Sequence, residues 1–196
     1  PEGLPAQLIT DTGCPGLSLL PASTALATLE RRMIGVEGMG LIVSRALAQL
    51  WDDFDYVILD NTPSLGVLMV NALAAAQYLV IPVQTEFLAI KGLERMLHTL
   101  QMIMRSQKNE LPYMIVPTLY DRRTQASVKS LNLLRKTYQD TLWRFAVPVD
   151  TKFRDASQAG VIPSQLDAET HGVRAYDHLL DDLLKRTGSV KERQHG

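Results

Sequence analysis

The stretch Tyr56-Val57-Ile58-Leu59-Asp60-Asn61-Thr62-Pro63-Ser64-Leu65-Gly66 decides the fold, because a continuous apolar run closes on an acid and then on a turn-forming loop. No polar residue alternates within 56–59, so the run predicts a strand buried on both faces of a parallel sheet. Residues 65–76 are Ala-rich and read as a helix, and a second apolar run follows at 78–83. Parallel neighbours need a crossover of roughly a dozen residues or more, usually helical. Residues 56–83 therefore read as a βαβ unit.

Working outward, the same alternation continues in both directions. Upstream, 17–20 is a short, mostly apolar run stopped by Pro21, and 22–33 is rich in helix formers with Ser23 and Thr24 as N-caps. Ile42, Val43, Ala46, Leu47 and Leu50 recur at three-four spacing, which predicts a helix ending near Trp51 before the turn at Asp52, Asp53 and Asp55. Downstream, Leu93, Met96, Leu97, Leu100 and Ile103 share one helical face, 113–119 reads as a strand, and Val128, Leu131, Leu134 and Tyr138 mark another helix. A strand at 143–147 and a closing helix through Tyr176, Leu179, Leu180, Leu183 and Leu184 complete the pattern. The fold class is α/β: a doubly wound, mostly parallel sheet flanked by helices, with ligands expected at the carboxyl ends of the strands. One domain is expected over 1–186, with 187–196 a polar, flexible tail.

Composition narrows the function. With 46% hydrophobic residues in 196, the chain can bury a continuous core. Twenty basic against 21 acidic residues give a formal charge of -1, which argues against a surface devoted wholly to nucleic acid and leaves room for a local basic patch. Cys14 is the only cysteine, so a reducing, cytoplasmic setting is the simplest expectation. The most apolar stretch, 65–83, is broken by Asn71, Gln77 and Pro82 and does not read as a membrane span, and no signal peptide is visible. His98, His171, His178 and His195 have no metal-ligand spacing.

Several residues could carry chemistry. Asp60, at the end of an apolar strand, stands where a P-loop NTPase holds the carboxylate that orients magnesium, a hard cation that prefers oxygen. Asp also starts turns well, and the residue alone supports either reading. Asp121 and Pro148 follow the strands ending near 119 and 147, on the sheet edge where a nucleotide base would rest. Arg122, Arg123, Lys129, Lys152 and Arg154 add local positive charge that could touch DNA phosphates, although such residues are more often simply solvated.

The run 56–66, continuing through Asn71-Ala72-Leu73 to Ala76, resembles the Walker B and switch II region of the ParA family of P-loop ATPases. The likeness extends to Leu19-Leu20-Pro21-Ala22-Ser23, to Ile81-Pro82-Val83-Gln84-Thr85-Glu86-Phe87 with Gly92-Leu93, to Tyr120-Asp121-Arg122-Arg123-Thr124, and to the segment from Val147-Pro148 to Gly160. It runs in order from about residue 17 to residue 184. By this resemblance Asp60 is the Walker B acid and magnesium residue, and Pro63, Ser64 and Gly66 belong to the switch that senses the γ-phosphate. The loops holding Asp121, Pro148 and Asp150 would flank the adenine. Thr62 stands where the family usually has proline, and Asp150 where it more often has asparagine. ATP and Mg²⁺ are the implied cofactors. The implied partners are a second copy of the chain, nonspecific DNA, contacted here by Arg122, Arg123, Lys152 and Arg154, and a ParB-like or other cargo protein. The implied place is the cytoplasm, at the nucleoid or a pole.

A Gly-x-x-x-x-Gly-Lys-Ser/Thr loop, whose amides cradle phosphates, is not present in the 196 residues. The glycines at 35, 38 and 40 are followed by no Lys-Ser or Lys-Thr. The chain, which opens on Pro1, is therefore expected to be the downstream part of a ParA-like ATPase that partitions or positions DNA or a large assembly, binding ATP poorly as it stands. The alternative is a degenerate, non-hydrolysing ParA-like binding module. A MinD-type membrane helix would need an apolar face that 187–196 lacks, and stable membrane insertion is not expected. Iron-sulfur and glutaminase relatives of the fold need cysteine arrangements that Cys14 alone does not supply.

Overall fold

The computed structural model describes residues 8–33, 39–63, 66–107 and 110–194. The chain divides into two compact units, Pro1–Ala76 and Gln77–Gly196. The sequence reading placed a single domain over 1–186.

In the first unit, β1 (Thr10–Asp11) and β2 (Ser18–Leu19) form a small antiparallel hairpin, with Thr10 opposite Leu19. The turn between them uses Gly13 and Gly16 at φ 73° and 78°, a left-handed conformation that glycine adopts without a Cβ clash. Helices α1 (Ala25–Met33), α2 (Ile42–Leu47) and α3 (Val67–Ala75) follow, with short 3₁₀ turns on either side of α2. Helix α3 buries Met69, Asn71, Ala72 and Leu73. Asn71 is 1% exposed because it works as a remote cap. Its Oδ1 accepts from the amides of Ile42 (2.9 Å) and Val43 (3.3 Å), and its Nδ2 donates to the Val67 carbonyl (2.9 Å). It thus supplies the first turn of α2 with the acceptor that every helix start lacks. Asn71→Ala leaves those part-buried amides without that acceptor and is expected to cost about 1 kcal/mol, read from the midpoint and slope of a urea unfolding curve.

Residues 56–60 depart from expectation. Among the described residues no strand pairs with them, and Tyr56, Val57 and Ile58 are exposed, Ile58 at 91%. An apolar run reports a preference for sheet, but a ladder exists only where a neighbouring strand supplies the other half of each hydrogen bond.

The second unit carries the parallel sheet. Strands β3 (Leu79–Gln84) and β4 (Tyr113–Thr118) pair in register, Leu79 opposite Tyr113 and Gln84 opposite Thr118. Helix α4 (Phe87–Gln107) makes the crossover between them. The expected strand at 143–147 has no ladder of its own, yet it lies parallel to β4. Ile115 donates to Thr141, and Trp143 and Val147 donate to the Ile115 and Pro117 carbonyls. Residues 114–116 of β4 are buried on both faces, as an interior parallel strand must be. Met114 and Val116 join Trp143, Val147 and Leu179 of α8 (His171–Gln194) in one core cluster. Ile115 points the other way by strand alternation, and α4 and α5 (Gln125–Thr137) pack together through buried faces that include Ile90, Leu93, Leu97, Leu131 and Leu134. Helices therefore cover both faces of the sheet. Helix α8 continues through Thr187 to Gln194, within the 187–196 stretch that the sequence predicts as a polar, flexible tail. Apart from Gly188, residues 187–194 contain no strong helix breaker.

Candidate functional site

The ends of β4 and of the segment beside it open a cleft of about 410 Å³. Leu119 and Pro148 form its sheet side. Phe153 reaches it from α6 (Lys152–Ala159), Pro163 and Ser164 from α7 (Pro163–Leu166), and Val173, Tyr176 and Asp177 from α8. The walls are mostly apolar with a few polar groups, the usual make-up of a site for a small ring system. Phe153 and Tyr176 meet edge to face at 5.7 Å and hold one wall in shape. Carboxyl ends of parallel strands are where open α/β sheets bind ligands.

The backbone of the cleft is set by an exchange across the sheet. Tyr120 donates to Val147 (3.0 Å) and accepts from Val149 (3.0 Å), placing Pro148 opposite Tyr120. Leu119 has φ 51°, a left-handed conformation costly for a side chain with a Cβ. Asp121 follows, and its carboxylate accepts from the amide, Nε and Nη2 of Arg123. The Arg123 side chain, then its amide, hold the Asp121 carboxyl down at about 2.

Asp150 occupies a joint between helices. One carboxylate oxygen accepts from the Lys152 amide at the start of α6 (3.0 Å), the other from the Gly172 amide at the start of α8 (2.9 Å). The Gly172 amide is the main reason its carboxyl lies below the ordinary range, with burial acting the other way. Gly172 itself is required: a Cβ there would come within 3.0 Å of the Asp150 Cβ and overlap the Phe153 ring. At the far end of α6, Gly160 closes the helix at φ 67°.

Asp121 and Asp150 both have carboxyls lowered by folding, so each contributes stability that is complete above the unfolded carboxyl range. That contribution disappears as pH falls through the folded values, which for Asp121 means down to about 2. The melting temperature is therefore expected to fall with acid from about pH 4 downward. Replacing both residues with Asn should flatten that part of the profile.

The remaining predicted site residues are distributed as follows. Asp60 is exposed in the first unit, just past the apolar run 56–59, and Asn61 beside it donates to the Leu59 carbonyl (3.3 Å). Pro63 is exposed, Gly66 precedes α3 in extended conformation, and Ser64 lies outside the described residues. Among the described residues no group of three acidic, His or Cys side chains could hold a metal by itself. A lone carboxylate still fits magnesium that arrives on nucleotide phosphates, since that ion takes only one or two protein carboxylates and keeps phosphate and water ligands. Of the basic residues, Arg123 is committed to Asp121, and Lys152 lies 3.6 Å from Asp155. Arg122 and Arg154 are exposed and, among the described residues, form no ion pair. Sequence reasoning missed Phe153, Val173 and Tyr176 as cleft walls. Their only signal was apolar character within otherwise polar segments.

This arrangement is that of a P-loop NTPase fold, and comparison with known proteins agrees. Residues 5–113 match the family model described as AAA domain, more than half of the chain, and the protein belongs to that family. Within it, the chain is a member of the ParA family. It is 29% identical to the chromosome-partitioning ATPase Soj of Treponema pallidum over 93% of this chain and 72% of that one. It is 28% identical to the sporulation initiation inhibitor protein Soj of Bacillus subtilis, over 90% of this chain and 70% of the relative. For the chromosome partitioning protein ParA of Myxococcus xanthus the identity is 28%, over 92% and 64%. The chain thus spans 64–72% of the length of these relatives.

Among solved structures, a cobyrinic acid a,c-diamide synthase from Mycobacterium smegmatis with bound ATP analog and magnesium superimposes with a TM-score of 0.75 at 31% identity, over 94% of this chain and 68% of that one. A plasmid partition protein from Borrelia burgdorferi shares the fold with a TM-score of 0.68 at 20% identity, over 92% and 66%. No helix among the described residues is long and apolar enough to cross a membrane.

Proposed function

We propose that the chain serves an ATP-driven partition or positioning cycle, in which a nucleotide-bound dimer holds nonspecific DNA and releases it after hydrolysis. The observation that carries this reading is the apolar cleft between Leu119 and Pro148, at the carboxyl ends of parallel strands in a ParA family member. In the proposed cycle the cleft takes the adenine, with the loops of Asp121, Pro148 and Asp150 around it. Asp60 orients the magnesium that accompanies the phosphates, and the loop of Pro63, Ser64 and Gly66 responds to the γ-phosphate. The phosphates themselves need a glycine-lysine loop, which the 196 residues do not contain, so the cycle belongs to a polypeptide that carries one. Arg122 and Arg154 are the stronger DNA contacts, because Arg123 and Lys152 already face carboxylates. The setting is cytoplasmic, on the nucleoid or at a pole, with a ParB-like or other cargo protein as partner.

The alternative reading is a ParA-like adaptor without a nucleotide cycle. DNA retention by the protein purified from its own cells separates the two. Retention that requires ATP and magnesium, and is lost in an Arg122→Ala, Arg154→Ala double variant, supports the cycle. Retention indifferent to nucleotide, or none at all, moves the reading to the adaptor.

A further inference from the structure

Between β3 and the cleft lie two buried hydroxyls that no base, phosphate or metal role uses. Thr85, the residue after β3, is 1% exposed, and Ser127, in the first turn of α5, is 6% exposed. Their oxygens are 2.6 Å apart. Thr85 Oγ1 also bonds the Leu119 carbonyl (3.3 Å), and Ser127 Oγ receives the Asp121 amide (3.1 Å). Each hydroxyl has one proton to give. The Leu119 carbonyl is only an acceptor, so the Thr85 proton goes there, and Ser127 must donate to Thr85. The result is a directed chain from the Asp121 amide through Ser127 and Thr85 to the Leu119 carbonyl.

This chain holds the backbone on both sides of Tyr120, directly after Leu119, the one described non-glycine residue with positive φ, and the Thr85 amide holds the Thr118 carbonyl before it (3.1 Å). Tyr120 is fixed by its two bonds to 147–149, and the flanking Leu119 carbonyl and Asp121 amide are fixed by the two hydroxyls. Leu119 is the residue at φ 51° and also a wall of the cleft. A strained conformation persists only when its surroundings over-determine it. Here those surroundings are Thr85 and Ser127.

We propose that Thr85 and Ser127 are positioning residues for a nucleoside ring in the cleft: by holding Leu119 left-handed they set the wall on which the ring rests. This inference depends on the nucleotide reading of the cleft. It also links the loop after β3 to the shape of the base site, since Thr85 belongs to that loop.

The probe is adenosine, titrated into the 196-residue chain and followed by the methyl resonances of Leu119, Val147 and Val173. Thr85→Val keeps the shape and removes the hydroxyl, and is expected to weaken adenosine roughly tenfold, the scale of one buried hydrogen bond. Thr85→Ser restores the hydroxyl and should stay within about twofold of the parent chain. In a Leu119→Gly background, itself weaker for adenosine because the wall is gone and read through Val147 and Val173 alone, the left-handed turn needs no support, so adding Thr85→Val should change the remaining affinity by less than about twofold. A merely structural role for Thr85 would not depend on residue 119. If Thr85→Val binds as tightly as the parent, or loses the same factor in both backgrounds, the positioning role is wrong while the base site stands. If adenosine moves none of the three methyls in the parent chain, the base site is wrong and the proposal falls with it. Should Thr85→Val not fold, Ser127→Ala reads the same comparison.

Discussion

Trp143→Ala is expected to lower the unfolding free energy of the 77–196 unit by about 3–5 kcal/mol, the range for removing a fully buried aromatic. Trp143 is 1% exposed and sits among Met114, Val116, Val147 and Leu179, so its removal opens a cavity where the sheet meets α8. Two further contacts go with it. Its Nε1 donates to Asp182 Oδ2 at 3.0 Å, and its ring meets Phe145 edge to face at 5.4 Å. Asp182 is only partly buried, so water can replace the indole donor, and the cavity dominates the loss. Trp143→Phe separates the contributions: it keeps most of the volume and should cost less than half as much. Urea unfolding followed by circular dichroism checks both. Trp51, 70% exposed, is the control, and Trp51→Ala should change stability by no more than about 0.5 kcal/mol. An unfolding midpoint unchanged by Trp143→Ala would mean that this cluster is not the core.

If the proposed cycle holds, Asp60→Ala is expected to reduce ATP turnover by two to three orders of magnitude in any polypeptide that joins this chain to a phosphate loop, roughly what loss of one preorganised electrostatic group costs a catalytic step. The effect should fall on kcat, because in the proposed cycle nucleotide affinity rests mainly on a phosphate loop and the base cleft. Asp60 is exposed, so the substitution should leave the unfolding midpoint unchanged. Turnover rates across a magnesium titration provide the decisive comparison. Equal turnover in parent and variant would remove Asp60 from the proposed cycle.

Local sequence revealed the elements whose faces repeat. The three-four spacing of Leu93, Leu97 and Leu100 marked α4, and the apolar run at 113–116 marked β4, because each buries its own pattern. Residues 56–59 had an equally strong pattern and, among the described residues, no ladder, since pairing depends on a strand elsewhere in the chain that local composition does not reveal. Helix α6 was invisible for the opposite reason. Its sequence Lys-Phe-Arg-Asp-Ala-Ser-Gln-Ala is polar almost throughout, and only Ala156 is fully buried. Asp121, Pro148 and Asp150 were legible as a cluster at the strand ends. What Asp150 does there was not: its two amide partners stand two and 22 residues away, and the second belongs to the start of a distant helix.

The interior position of β4 has a kinetic corollary. Its amides bond alternately to β3 and to the segment at 141–147, and both faces are sealed by helices, so no small fluctuation exposes them to solvent. Proton exchange at Met114, Ile115 and Val116 then requires the whole unit to open, and these should be the last amides to take up deuterium. The hairpin at 10–19, whose strands are two residues each, should exchange first. Deuterium uptake along the chain would in this way rank its segments by the free energy needed to open them.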